Sequence, residues 1–333
     1  MILFVGNRLG MEYKIVNRNK FKFLHIPSAG FIGKSLYDKC KAIIMNLISF
    51  IVCYRYIIKY KPAFVIGTGS FTEIPLILSA FLLRIPSFIT EQDSYPGTAT
   101  RLLSRVVTNV FLSFEESRKY IKNRNNISVI GTITENKGDK IDKHLIRKKM
   151  NIEKNRRVLF IIGGSRGAAV INNAVIEMIK SGIDKKIYII FQTGTINYET
   201  VMKRLKNTSF NGILKPFIYN MSEIYSISDL IVSRAGACTL AEISDNNKPS
   251  ILIPFSYATH DHQMRNAINY QNNGASIIIE EKNLSGIILK NIIENTIFNN
   301  KKLSVMGKNA GVLHNNNAVN DMIKIIYRRL SYV

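Results

Sequence analysis

The segment Gly163-Gly164-Ser165-Arg166-Gly167-Ala168 follows an apolar run, Val158 to Ile162, and precedes a stretch, Ala168 to Ile179, that keeps apolar side chains at helical spacing. A strand, a glycine turn and a helix in that order leave backbone N–H groups and the positive end of a helix dipole facing outward, an arrangement suited to an anion. The dinucleotide fingerprint GxGxxG does not fit, because with its last glycine at Gly167 it needs glycine where Ile162 stands. A nicotinamide or flavin is therefore not expected, and neither is any other cofactor. A tight β–α connection that binds nothing would have the same sequence.

A second turn of this kind lies downstream. Leu230 to Ser233 reads as a strand, Arg234 to Ala237 as a turn, and Cys238-Thr239-Leu240-Ala241-Glu242-Ile243 as the start of a helix with a carboxylate about one turn inside. Its N–H groups could meet a diphosphate and Glu242 a ribose diol, although a solvated or capping carboxylate reads the same way. Past another strand end, the polar run Pro254 to Ala267 carries His260, His262, Gln263 and Asn266. The carboxyl end of a parallel strand is where ligands sit in open α/β sheets. The two histidines have no third ligand at suitable spacing, so no metal is expected.

These turns need strands and helices in alternation to hold them. Strands are expected at Ile2–Val5, Phe21–His25, Phe64–Ile66, Ser87–Ile89 and Val107–Leu112, then at Val158–Ile162, Ile187–Phe191, Ile213–Lys215, Leu230–Val232 and Ser250–Ile253, with helical patterns between most of them. Alternation throughout argues an α/β class. Between the two series, Lys137 to Arg157 is crowded with charge, and 333 residues suit about two domains.

Forty-six Lys and Arg against 23 Asp and Glu give a formal charge of +23. Nucleic acid, an anionic membrane or a phosphate-rich substrate could each answer such a charge, as could solvated lysine-rich faces. No helix-turn-helix, zinc finger, RNP motif or aromatic-basic interleaving locates a groove reader, so no nucleic acid is expected. Cys40, Cys53 and Cys238 form neither a CxxC nor a disulfide framework, which fits a reducing compartment. Met1 to Gly6 has strand length and no charged region before it, unlike a signal peptide. Lysines in Gly33 to Lys41 lead into the apolar stretch Ala42 to Cys53, followed by Tyr54 to Lys59. Twelve residues broken by Asn46 and Ser49 fall short of the ~20 that span a bilayer, but suit a helix lying on an anionic membrane surface. A helix buried against the first sheet fits the same pattern.

In order and spacing these residues resemble the MurG family, the N-acetylglucosaminyltransferases that make lipid II from lipid I. GGSRGA at 163–168, Phe217-Ile218 with Met221, SRAGACTLAE at 233–242, Pro254-Phe255 and HQ with NA at 262–267 are similar to its donor motifs. KPAFVIGTGS at 61–70 and ITEQDSYPGTATRLLS at 89–104 are similar to its acceptor-domain signatures. The resemblance implies a GT-B fold, two Rossmann-like domains facing across a cleft. Residues 1–133, completed by a C-terminal helix at 317–333, would face the acceptor and the membrane, and residues 134–316 would bind UDP-GlcNAc. It also implies site residues. Gly164, Ser165 and Arg166 would meet the nucleotide phosphates with Ala237, Cys238 and Thr239, the backbone of Ile218 the uracil, Glu242 the ribose, and His262 and Gln263 the sugar hydroxyls. Gly67, Gly69, Phe71, Gln92, Asp93 and Asn172 would serve the acceptor. The implied reaction is a displacement with inversion by the muramoyl 4-hydroxyl of lipid I, at the cytoplasmic face of the cell membrane. Helix N-termini, with Arg166 or Arg234, would stabilise the departing UDP without a metal.

The departures fall on the acceptor side. The family's opening strand and glycine loop, GGTGGH, with its candidate base histidine, have no counterpart, and MILFVGNRLGMEYKIV is similar to the family's second strand. The expectation is a misassigned start or a truncated gene model rather than a natural loss, with such a segment ahead of Met1, and poor transfer without it. The family's HEQN stands here as Thr90-Glu91-Gln92-Asp93, which leaves Glu91 as the carboxylate available to act as base. Its GNPVR stands as Gly131 to Glu135, and a common tyrosine as Phe71. Intact donor motifs beside altered acceptor motifs would also suit a non-catalytic homologue that binds UDP-sugar or scaffolds a membrane complex.

Overall fold

The computed structural model describes residues 1–8, 11–29, 36–122, 125–134, 141–256, 261–313, 315 and 317–331. Gly33 to Ser35, Glu135 and Tyr257 to His260, all singled out above, lie outside these.

The chain runs β1 (Leu3–Gly6), α1 (Met11–Arg18), β2 (Lys22–His25), α2 (Leu36–Tyr60), β3 (Val65–Gly67), α3 (Glu73–Leu82), β4 (Ser87–Glu91), α4 (Thr98–Leu103), β5 (Asn109–Leu112) and β6 (Ile127–Val129). It continues with α5 (Lys143–Lys149), β7 (Arg157–Ile162), α6 (Ala169–Lys180), β8 (Ile187–Gln192), α7 (Tyr198–Leu205), β9 (Gly212–Lys215), α8 (Met221–Ile227), β10 (Leu230–Ser233), α9 (Ala237–Asp245) and β11 (Ser250–Leu252). The last elements are α10 (His262–Asn272), β12 (Ser276–Ile278), α11 (Gly286–Ile297), α12 (Asn300–Gly311) and α13 (Ala318–Leu330). Every strand expected from sequence overlaps an observed one. Two were missed, β6 and β12, each three residues long at a sheet edge, too short to show a period.

Two compact units result, Met1–Gly131 with Asn317–Val333, and Thr132–Asn316. The second is a six-stranded parallel sheet in the order β12-β11-β10-β7-β8-β9. Its central strand β7 is buried on both faces, as a crossover-linked parallel strand must be. Leu159 and Ile161 pack with Ile171, Val175 and Met178 of α6 and with Leu289 and Ile293 of α11. Val158, Phe160 and Ile162 pack on the other side with Tyr225, Leu240, Ile243 and Tyr270. Each such side chain contributes roughly 1.5–3 kcal/mol when fully buried, so this alternation fixes the register of β7 between its two helix layers.

The first unit holds two separate sheets, β1-β2 and β3-β4-β5-β6, all parallel. Val65, Ile89, Val110 and Leu112 pack against Ile77 and Ala80 of α3 and Ile57 of α2. Among the described residues β3 is paired on one side only, with β4.

Candidate functional site

In the second unit the strand order reverses between β7 and β10. From β7 the chain moves outward through β8 and β9, then returns to place β10 on β7's other edge, with Ile162 opposite Ser233. Ligands bind where such a sheet reverses, outside the carboxyl ends of the strands. The two glycine turns found in sequence emerge there side by side, 163–168 from β7 and 234–236 from β10. Each leads into a helix whose N-cap, Ala168 or Gly236, brings no side-chain cap, whereas Asp142, Ser285 and Asn299 cap α5, α11 and α12. First-turn N–H groups not capped in this way are the donors an anion uses.

The first turn is locked to the one after β8. Gly164, Gly167 and Gly194 all have φ between 82° and 88°, a region open to glycine and costly for other residues. A Cβ on Gly167 would stand 2.1 Å from the Thr193 carbonyl oxygen, and one on Gly194 would stand 2.1 Å from the Gly167 nitrogen, whereas Gly164 opens onto free space. Ser165 and Arg166 are exposed at the tip of the turn. Gln192, unremarked in sequence, braces it from beneath: its Nε2 donates to the Gly164 carbonyl (3.3 Å) while its Oε1 accepts from the Ile218 N–H (2.7 Å). The N–H of Ile218, the residue whose backbone is expected to meet uracil, is thus engaged within the unit.

On the second turn Ala237 is buried, Cys238 exposed, and Thr239 and Glu242 half-buried. Glu242 is held from behind by Tyr225, a fully buried ring set edge-on to Phe160, whose hydroxyl donates to Glu242 Oε2 at 2.8 Å. Burial, and then the Glu242 charge, push the Tyr225 hydroxyl well above the usual tyrosine range, so it remains a donor. His262 and Gln263 open α10, half-buried; Gln263 Oε1 accepts from Phe255 N–H (3.1 Å), and the buried Asn266 donates to the Ala235 carbonyl (3.1 Å), tying α10 to the second turn.

The Arg234 guanidinium pairs with Glu281 (2.5 Å), donates to the carbonyls of Ile253 (3.0 Å) and Pro254 (3.2 Å), and lies over the Phe255 ring. Glu281 in turn accepts from the Ser256 N–H (3.1 Å). Burial pushes the Glu281 carboxyl up, but Ser256 and Arg234 outweigh it and hold the group below its ordinary value. Arg234 thus shapes the 253–256 segment and leaves Arg166 as the exposed cation of the two.

In the first unit the turns after β3 and β4 meet. Gly67 is buried, Gly69 has φ 83°, Phe71 and Asp93 are exposed, and Gln92 is half-buried. Glu91 is buried, its Oε1 accepting from the Asp93 N–H (3.1 Å) and its Oε2 from the Gly97 N–H (2.9 Å). A carboxylate that accepts a backbone N–H at each oxygen organises its loop. Asn172 sits in the second unit, buried, its amide nitrogen donating to the Thr193 carbonyl (2.9 Å). The carboxylate the sequence reading missed is Glu73, buried beneath the Gly67–Gly69 turn, where its Oε2 accepts from the Gly69 N–H (2.8 Å).

Residues 2–112 match the glycosyltransferase family 28 N-terminal domain, and residues 158–325 the glycosyltransferase family 28 C-terminal domain. The chain is 37% identical over 328 residues to a protein of Acetivibrio thermocellus named UDP-N-acetylglucosamine--N-acetylmuramyl-(pentapeptide) pyrophosphoryl-undecaprenol N-acetylglucosamine transferase, covering 98% of this chain and 89% of that one. A protein of the same name from Desulforamulus reducens is 34% identical, with 99% and 90% covered. Among solved structures, MurG of Acinetobacter baumannii superimposes with a TM-score of 0.68 at 24% identity, over 97% of this chain and 90% of that one. A UDP-GlcNAc 2-epimerase from Neisseria meningitidis, bound to UDP-GlcNAc, gives 0.64 at 15% identity over 98% and 99%. At such identities these two structures speak for the fold, which is GT-B.

Proposed function

The chain belongs to glycosyltransferase family 28, and from that premise we propose that it is the hexosyltransferase that moves GlcNAc from UDP-GlcNAc to the muramoyl 4-hydroxyl of lipid I, forming lipid II in peptidoglycan synthesis. The observation that carries the reading is the near full-length identity to two transferases of that name. The paired turns at the strand-order reversal support it with chemistry. As the bond from the anomeric carbon to the diphosphate oxygen breaks, charge gathers on the departing UDP, and the N-termini of α6 and α9 with Arg166 are suited to receive it. Glu242, steadied by Tyr225, takes the ribose hydroxyls, and His262 and Gln263 the sugar. The acceptor oxygen attacks from the opposite face, which inverts the anomeric centre, and its proton leaves to a base. Gly67, Gly69, Phe71, Gln92 and Asp93 are the acceptor-side residues of this reading.

Transfer from labelled UDP-GlcNAc to a lipid I analogue tests the activity, and calorimetry with UDP tests the donor site. Glu242→Ala should weaken UDP by about 1–3 kcal/mol, the range for a hydrogen bond to a charged group. Tyr225→Phe, which removes one donor from Glu242 and keeps the carboxylate, should cost less. Equal affinity in both variants would remove this pair from the site. UDP binding without any transfer is the behaviour of a non-catalytic homologue.

The place of work in this reading is an anionic membrane surface on the cytoplasmic face, met by α2. Its Lys41–Tyr60 stretch has the length and mean hydropathy, 1.6, of a spanning helix, longer than the sequence reading allowed because Tyr54, Tyr56, Ile57 and Ile58 extend it past Cys53. One side is buried through Ala42, Ser49, Cys53 and Ile57 and packs on α3, with Ser79 Oγ donating to the Phe50 carbonyl (3.2 Å). Burial pushes the Cys53 thiol up to about 12. The other side exposes Ile44, Leu47, Ile48, Ile51 and Ile58, a stripe at helical spacing suited to lying in an interface. Changing Ile44, Leu47 and Ile51 to serine should lower binding to anionic vesicles by about tenfold or more, and added salt should lower it further. Vesicle binding indifferent to both treatments would withdraw the membrane reading.

A further inference from the structure

The carboxyl group of Glu73 lies buried in the first unit, beneath the turn after β3. It belongs to the first residue of α3, is 5% exposed, and points back beneath the turn that leaves β3. Its Oε2 accepts from the Gly69 N–H at 2.8 Å, while its own N–H donates to the Ser70 carbonyl at 3.0 Å, so one residue closes the 67–73 turn from both ends. Gly67 is glycine for this reason: a Cβ there would stand 2.3 Å from Glu73 Oε2. Its other oxygen, Oε1, is buried.

The turn that Glu73 closes rests on the turn that Glu91 organises. A Cβ on Gly69 would lie 3.3 Å from the Thr90 carbonyl oxygen and 3.9 Å from Glu91 Oε1, and a Cβ on Gly97 would lie 3.7 Å from both Glu91 Oε2 and the Gly69 carbonyl oxygen. Thr90 Oγ1 donates to the Gly67 carbonyl at 3.3 Å. Gly69 is therefore the shared wall between two buried carboxyl groups, and movement at one reaches the loop of the other. Burial pushes the Glu73 carboxyl up; the Gly69 N–H opposes this, the Glu91 charge adds to it, the backbone N–H groups of Ser70 and Thr68 oppose it to a smaller extent, and the group stands at about 7. An ordinary glutamate would be ionised well below that.

We propose that Glu73 is a positioning residue for the acceptor side of the reaction: enclosed under the Gly67–Gly69 turn, it sets the spacing between that turn and the Glu91–Gly97 loop, and so the site of the acceptor hydroxyl. The proposal rests on the transferase reading above. Two carboxyl groups on either side of one glycine hold the two turns closest when one of them keeps its proton. Acceptor binding should accordingly weaken as the pH rises through neutrality, with Glu91 the ionisable neighbour that opposes the second charge.

The test compares the wild type with Glu73→Gln and Glu73→Ala in the full chain. Glutamine keeps an acceptor for the Gly69 N–H and cannot ionise; alanine removes both features. With the alanine variant, KM for a lipid I analogue should rise about ten- to hundredfold, the scale of a misplacement near 1 Å, with UDP affinity unchanged. The glutamine variant should keep the wild-type KM at pH 6 and lose the rise seen in the wild type between pH 6 and 8. Hydrogen exchange across 67–72 and 91–97 should quicken in the alanine variant alone. An acceptor KM unmoved by alanine, or a glutamine variant with the wild-type pH profile, would overturn the proposal. A wild type that transfers nothing would sink the transferase reading instead; hydrogen exchange in the two loops would then decide the coupling, and unchanged exchange in the alanine variant would refute it.

Discussion

Gly194→Ala should destabilise the second unit by about 2–6 kcal/mol, adding about 1–3 for a side chain held in the left-handed region to about 1–3 for overpacking. The added Cβ would meet the Gly167 nitrogen at 2.1 Å and the carbonyl carbon of Arg166 at 2.3 Å. Both are backbone atoms, so no rotamer change relieves the contact. The turn must move, and UDP binding should fall with it. Gly164→Ala provides the comparison: φ is 88°, yet nothing lies within 4 Å of its Cβ position, so only the backbone term of about 1–3 kcal/mol applies. Urea unfolding of the two variants, with UDP calorimetry at a temperature where both are folded, measures the difference. If Gly194→Ala proves as stable as Gly164→Ala, the interlock of the two turns does not hold this unit together.

Arg234→Ala should cost about 3–5 kcal/mol, the range for removing one partner of a buried ion pair and leaving the other charge uncompensated. The side chains of Arg234 and Glu281 are 13% and 10% exposed, little enough for that range to apply. The loss also takes the donor from the carbonyls of Ile253 and Pro254, so residues 253–256 should loosen and the affinity for UDP-GlcNAc should fall more than that for UDP. The pH dependence has a definite sign. Because the folded-state pKa of Glu281 lies below its unfolded value, the stability it contributes is present above about pH 4.3 and is lost as pH falls through the lower folded value. In the variant the unpaired carboxylate takes up a proton more readily, so the gap between wild type and variant should narrow as pH falls toward 4. Denaturation curves at pH 7 and pH 4 check this, and a gap that widens on acidification would contradict the pairing argument.

Reading these turns from sequence worked because their information is local. A glycine pair between an apolar strand and a helical pattern states its own backbone conformation, and Gly164, Gly167 and Gly236 stand where that reading put them. The side chains that brace the turns were not legible. Gln192 meets Ile218 from 26 residues away and Tyr225 meets Glu242 from 17, and nothing in the spacing of a glutamine or a tyrosine announces such a partner. The partners of Asn172 and Arg234 were illegible for a related reason. An amide or guanidinium beside a motif looks available until the fold shows a buried carbonyl or carboxylate already using it. Glu91 belongs with them, because its two backbone donors, Asp93 and Gly97, are nearby in sequence yet reach it only when the 91–97 loop closes.

The sequence by itself determined the α/β class, the position of nearly every strand, the two anion-suited turns and the resemblance to one transferase family. Each of these depends on residues close together along the chain or on motifs in a fixed order. Only the tertiary structure decided that β10 returns to lie against β7, with Ile162 beside Ser233, so that two turns about 70 residues apart share one edge of one sheet. It also decided that Glu73 closes the β3 turn from below, a role that no periodicity encodes. The physical reason is the same in both cases. Strand order and side-chain partners are set by which apolar faces can be buried together, a property of the packed chain as a whole.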